Sequence, residues 1–172
     1  GASPSPTMCV YKIIISQILF SVKAGAVKRG KNCYDRAKGC DFMDYVNCQL
    51  CPRRCGVDRT VGQRGFCGCP EGALVAKSML HKWEEPALAG KGGSGAVFFG
   101  GCTMGCKYCQ NAAISGGPVG QAMDSAQLRS LFEDLIAQGA ENIDLVTPTH
   151  FLPTILPALT PKLPVPVVYN CG

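Results

Sequence analysis

From residue 91 onward the chain alternates short apolar runs with amphipathic stripes. Ala96–Phe99 is a compact apolar run, entered through Gly92-Gly-Ser-Gly95 and left through Gly100-Gly101. That pattern predicts a buried strand bounded by turns. Asp124 and Gln127 carry the spacing of a capping box. Leu128, Leu131, Phe132, Leu135 and Ile136 then recur at helical spacing up to Gly139, predicting one amphipathic helix. Ile143–Val146 reads as a second strand and leads into Thr147-Pro-Thr-His150. Phe151–Leu159 reads as a short helix stopped by Pro161, and Val165–Tyr169 as a third strand, with Pro166 tolerable only near its start. The βαβαβ order predicts an α/β fold with parallel strands and right-handed crossovers.

The chain before residue 91 lacks this rhythm. Residues 1–40 read as a poorly structured leader, residues 41–90 as a cysteine-rich knuckle with a connecting segment, and residues 91–172 as the α/β part. The apolar run Ile13–Val22 is too short to span a bilayer as a helix. With Lys12 before it and Ala24-Gly-Ala26 after it, the run only faintly imitates a signal peptide. Lys28-Arg-Gly-Lys31 reads as a solvated linker.

Composition narrows the function classes. A hydrophobic content of 47% in 172 residues supports the core of one domain. The net charge of +5 is mild and no basic run is long, so neither nucleic acid nor a membrane is an expected partner. Twelve cysteines would suit a disulfide scaffold in a small secreted protein. Seven of them instead fall into two groups with metal-ligand spacing, which favours a reducing compartment, the cytoplasm.

The first group is Cys102, Cys106 and Cys109, in Gly-Gly-Cys-Thr-Met-Gly-Cys-Lys-Tyr-Cys-Gln-Asn directly after the first strand. A cubane iron–sulfur cluster is normally held by four thiolates, and three would leave one iron open to chemistry. The second group is Cys48, Cys51, Cys55 and Cys67, spaced C-x2-C-x3-C-x11-C, with Cys69 as a spare. So small a Gly- and Pro-punctuated segment needs a staple to fold. Zinc and a second iron–sulfur cluster both accept four thiolates; the third reading is a set of reduced, buried thiols. Arg53, Arg54, Asp58, Arg59 and Arg64 read as solvated loop charges, His81 as a structural histidine and Trp83 as a packed side chain.

The cysteine loop resembles the cluster loop of the radical S-adenosylmethionine superfamily. The block from Cys48 through Tyr169 resembles its pyruvate formate-lyase activating enzyme-like branch. The resemblance implies the N-terminal part of a (βα)6 partial TIM barrel, preceded by the metal-binding knuckle. It implies a [4Fe-4S] cluster on Cys102, Cys106 and Cys109, and S-adenosylmethionine with its adenine beside Tyr108. The implied activity is of an oxidoreductase type: reductive cleavage to methionine and a 5′-deoxyadenosyl radical that abstracts hydrogen. Implied partners are a reductant protein such as flavodoxin or ferredoxin and, as substrate, a glycyl radical enzyme.

Two departures qualify the resemblance. Where many such activases carry Gly-Gly-Glu, this chain has Thr147-Pro148-Thr149-His150. Thr147 or Thr149 would then hold the methionine amino group, with His150 assisting; the competing reading makes Thr149 a helix cap. The chain also reads as an N-terminal fragment, ending after a third strand with an open edge. The alternative function is a non-catalytic zinc or iron–sulfur binding protein, or an inactive fragment.

Overall fold

A computed structural model describes residues 44–171 and, as backbone, residues 12–14. In chain order the elements are β1 (Lys12–Ile14), β2 (Ala73–His81), α1 (Pro86–Ala89), β3 (Ser94–Phe99), α2 (Ala112–Ser115), β4 (Gln121–Met123), α3 (Ser125–Ala137), β5 (Asn142–Val146), a 3-10 turn (Thr149–Phe151), α4 (Leu152–Ala158) and β6 (Val167–Asn170). The expected leader outside residues 12–14, with Cys9, Cys33, Cys40 and the Lys28–Lys31 linker, lies outside the described residues.

The strands form one open mixed sheet in the order β1-β6-β5-β3-β2-β4. Its centre is the parallel trio β3, β5 and β6, registered Val97 opposite Leu145 and Leu145 opposite Tyr169. Pairing of β6 begins only at Val167, two residues later than the apolar run suggests. Pro166 has no N–H to give, so it contributes only its carbonyl, which accepts from Ile143 N–H at 3.0 Å. The predicted helix at 151–159 divides into the 3-10 turn and α4. The edge of β6 is not open: β1 pairs with it antiparallel, Ile13 opposite Tyr169.

Helix α3 starts as its sequence dictates. The Asp124 carboxylate accepts from Gln127 N–H at 2.8 Å, and the Gln127 side chain accepts from Asp124 N–H at 3.0 Å. Its stripe, Leu128, Phe132 and Leu135, is buried against Val97, Phe99, Ile143 and Leu145 of the sheet and Ile155 and Ala158 of α4. The opposite sheet face carries Ala96, Asp144 and Val168, also buried.

Strand β2 extends the sheet antiparallel to β3, and β4 pairs antiparallel with β2 at the edge, beyond the predicted parallel set. Trp83, expected to pack, is 91% exposed in the turn after β2. His81 Nδ1 lies 3.5 Å from Glu84 Oε2 on the same turn.

Candidate metal centre

The three cysteines of the loop follow from the way β3 ends. Beyond Phe99 the chain passes Gly100, whose N–H donates to Leu74 C=O at 2.9 Å, and Gly101, at φ 70°. A Cβ on Gly101 would strike Cys69 Sγ, so the tight exit from the sheet requires glycine there. The loop then presents Cys102, Cys106 and Cys109 beyond the carboxyl end of a parallel strand, with Gly105 (φ 68°) as a second reversal. Ligand sites of α/β proteins collect at that end.

Two of the three sulfurs already have donors. Met104 N–H reaches Cys102 Sγ at 3.3 Å, and Ser115 O–H reaches Cys109 Sγ at 3.4 Å. Such hydrogen bonds stabilise the thiolate and tune a bound cluster. Cys106 and Tyr108 are exposed, Tyr108 at 94%. The donor set therefore fits an iron–sulfur cluster in chemistry. In the arrangement described, no group of three or more His, Cys, Asp or Glu side chains among the described residues is gathered to hold a metal ion.

Beside the loop, β5 ends at Val146, and Thr147 adopts φ 60° while its N–H donates to Asn170 C=O at 2.9 Å. A left-handed conformation at a β-branched residue is strained by about 1–2 kcal/mol, and strain of this kind concentrates at functional sites. Thr149 does not cap a helix. The 3-10 turn has Pro148 at its N-cap position without a side-chain bond, and Thr149 Oγ1 accepts from Tyr169 O–H at 2.7 Å. His150 is buried, and its Nε2 meets Gly100 C=O at 3.0 Å. Burial pulls its pKa down to about 4, so the ring is neutral and donates through Nε2. It braces the root of the cysteine loop from behind.

The knuckle places Cys48, Cys51, Cys55 and Cys67 in one electrostatic neighbourhood. Burial raises the Cys51 pKa, and the thiols of Cys55, Cys48 and Cys67 add to the rise against a backbone hydrogen bond from Arg53. Phe66 N–H donates to Cys55 Sγ at 3.3 Å, and a Cβ on Gly65 would sit 2.9 Å from that sulfur. Cys69 is buried, and its S–H faces Cys67 C=O at 3.4 Å and Gly100 C=O at 3.5 Å. The nearby Cys69 side chain, able to donate to the Cys67 sulfur as well, lowers the Cys67 pKa to about 6, while Cys69 itself is held as the thiol.

Two of the expected loop charges reach distant segments: Arg53 while still exposed, Arg59 from within the core. Arg53 Nε donates to Thr103 C=O at 3.0 Å and Nη2 to Met104 C=O at 3.3 Å, with the guanidinium 3.7 Å over the Phe66 ring. Arg59 is 2% exposed: Nε donates to Pro70 C=O at 2.9 Å, Nη1 to His150 C=O at 2.7 Å, and its guanidinium lies 4.4 Å over Tyr45. Neither role has a local sequence signal, because the acceptors are carbonyls of distant segments.

Comparison with known families takes in the same loop. Residues 88–151, which contain Cys102, Cys106 and Cys109, match a family described as a 4Fe-4S single cluster domain. This supports a [4Fe-4S] iron–sulfur protein. The match leaves the knuckle outside. The chain is also similar to an uncharacterized protein of Methanocaldococcus jannaschii, 39% identical over 71 residues; that stretch is 41% of this chain and 20% of the relative, so the chain spans about a fifth of the relative's length. No solved structure matches. Among the described residues no helix is long and apolar enough to cross a membrane.

Proposed function

We propose that this chain is part of a radical S-adenosylmethionine enzyme of the glycyl-radical activase type. The observation that carries the reading is a loop with three thiols, and no fourth, leaving a parallel strand inside the stretch that matches a 4Fe-4S single cluster domain. The proposed fold is the opening part of a (βα)6 barrel, with β3, β5 and β6 as its first parallel strands.

When bound, such a cluster supplies the electron that cleaves S-adenosylmethionine to methionine and a hydrogen-abstracting 5′-deoxyadenosyl radical. The residues of this chain would bind and orient. Cys102, Cys106 and Cys109 would hold the cluster and leave one iron for the methionine moiety, while the N–H of Met104 and the hydroxyl of Ser115 donate to two of the sulfurs. Thr147, strained at the end of β5, and Thr149 offer a carbonyl and hydroxyls to the methionine amino group. Tyr108, exposed within the loop, offers its ring to the adenine. His150 keeps the loop root in place and excludes water there. The reductant would be a protein such as flavodoxin or ferredoxin, the hydrogen donor a glycyl radical enzyme, and the compartment the cytoplasm, in keeping with free thiols.

The test is anaerobic reconstitution of the protein with iron and sulfide, followed by incubation with dithionite and S-adenosylmethionine. Formation of 5′-deoxyadenosine, dependent on Cys106, supports the reading. A stable cluster with no such product, or a zinc-only protein without acid-labile sulfide, overturns it in favour of a non-catalytic metal protein.

A further inference from the structure

Arg53 stands between two knuckle cysteines, in Cys51-Pro52-Arg53-Arg54-Cys55, yet its guanidinium ends on the other cysteine group. Its acceptors, the carbonyls of Thr103 and Met104, lie between Cys102 and Cys106, and its stacking partner Phe66 immediately precedes Cys67. One side chain thus touches both cysteine-bearing segments, through the Thr103–Met104 backbone in one and the Phe66 ring in the other.

The knuckle is laid out as a series of ligand turns. Arg54 N–H donates to Cys51 C=O, Gly56 N–H to Cys48 C=O and Gly68 N–H to Gly65 C=O, each at 3.0 Å. Arg54, Gly56 and Gly68 take the positive φ angles, 43°, 66° and 68°, that such reversals need. Gly65 leaves Cys55 Sγ open to the Phe66 N–H, since any side chain there would crowd the sulfur. Among the described residues the segment's own apolar cluster is Tyr45, Cys48 and Leu50 with Val57 beside them, a small core that a bound metal would reinforce.

We propose that Cys48, Cys51, Cys55 and Cys67 bind one thiophilic metal ion in tetrahedral geometry, and that Arg53 couples this site to the loop of Cys102, Cys106 and Cys109. The coupling half rests on the cluster reading above; the metal site does not. The metal draws the four neighbouring thiols into one ligand set and fixes the turn that carries Arg53. A fixed Arg53 then holds the Thr103–Met104 backbone by two charge-assisted hydrogen bonds. Outer supports of this kind change metal affinity by roughly 10–100-fold when removed.

Cobalt(II) titration of the full chain, in a background with Cys102, Cys106 and Cys109 all replaced by Ala, reads the knuckle alone. One cobalt per chain with tetrahedral thiolate absorption is expected, lost in Cys51→Ser and in Cys67→Ser and kept in Cys69→Ser and Arg53→Gln. Absent tetrahedral absorption, or a signal that survives Cys51→Ser, overturns the metal site. The coupling is read in otherwise unmutated, cluster-reconstituted protein, as the rate of cluster iron loss to a chelator. Arg53→Gln should lose iron roughly tenfold faster than the parent at unchanged knuckle metal content, with Arg53→Lys intermediate. Equal rates overturn the coupling, and so does a parent protein that takes up no cluster, in which case the cobalt result still decides the metal site by itself.

Discussion

Arg59 Nη1 donates to the carbonyl of His150 at 2.7 Å, joining the knuckle to the turn after β5 across 91 residues of chain. The His150 ring meets Gly100 C=O at 3.0 Å, at the root of the cysteine loop. Cys69 S–H faces the same carbonyl from the knuckle side. The loop is therefore anchored from two directions by buried groups, and those anchors can be removed one at a time.

Arg59 is the largest of these anchors. Replacing it with Met keeps most of the packing over Tyr45 but leaves the part-buried carbonyl of Pro70 and the buried carbonyl of His150 without their donor. The expected loss is about 3 kcal/mol in urea unfolding at matched metal content. Arg59→Lys should recover less than half of it, because an ammonium cannot span both acceptors. A loss below about 1 kcal/mol for the Met variant would mean the Arg59 contacts are dispensable.

His150 gives the fold a pH dependence of fixed sign. Its folded pKa, about 4, lies below the ordinary 6.5, because burial disfavours the charged ring. The neutral ring's contribution is complete above pH 6.5 and is lost as pH falls toward 4, since only the unfolded chain binds the proton in that window. The full amplitude is on the order of 3 kcal/mol. Between pH 4 and 6.5, unfolding free energy should fall less steeply with acid in His150→Gln than in the parent. Identical slopes would show that the ring is not held neutral.

Thr147 stores strain that a different side chain can release. Asn tolerates the left-handed region far better than a β-branched residue. Thr147→Asn should therefore raise stability by about 1 kcal/mol in the absence of S-adenosylmethionine. Differential scanning calorimetry checks this, and a lowered melting temperature would mean that the hydroxyl, not the backbone, sets the conformation.

Gly101 tests the exit from β3. Its φ of 70° and the nearness of Cys69 Sγ and Cys67 C=O leave no room for a methyl group. Gly101→Ala should cost about 2 kcal/mol or more and reduce cluster uptake, whereas Gly117→Ala, with nothing within 4 Å of a Cβ there, should behave as the parent. Iron content after reconstitution distinguishes them.

The parts of this molecule legible in its sequence are those with local causes. The capping box of Asp124 and Gln127 and the stripe behind it specify α3 within a few turns of chain, and the glycines flanking Ala96–Phe99 mark β3. What stayed hidden depends on distant partners. Strand β2 mixes buried Leu74 and Val75 with exposed Lys77 and bends through a register shift at that point, so no period of two survives in its sequence. Arg59 looks like any loop charge until Pro70 and His150 are brought to it. The cysteine spacings are visible in the sequence because they are local, whereas Arg53's bridge between the two groups exists only once the chain is folded.

The measurement that bears most directly on the account is the EPR spectrum of the reduced, reconstituted protein with and without S-adenosylmethionine, taken beside Cys102→Ala, Cys106→Ala and Cys109→Ala. Three thiolates and one open iron predict a [4Fe-4S]+ signal that shifts when S-adenosylmethionine is added, and its absence from all three variants. A signal indifferent to S-adenosylmethionine, or a full cluster in any one of the variants, would contradict it.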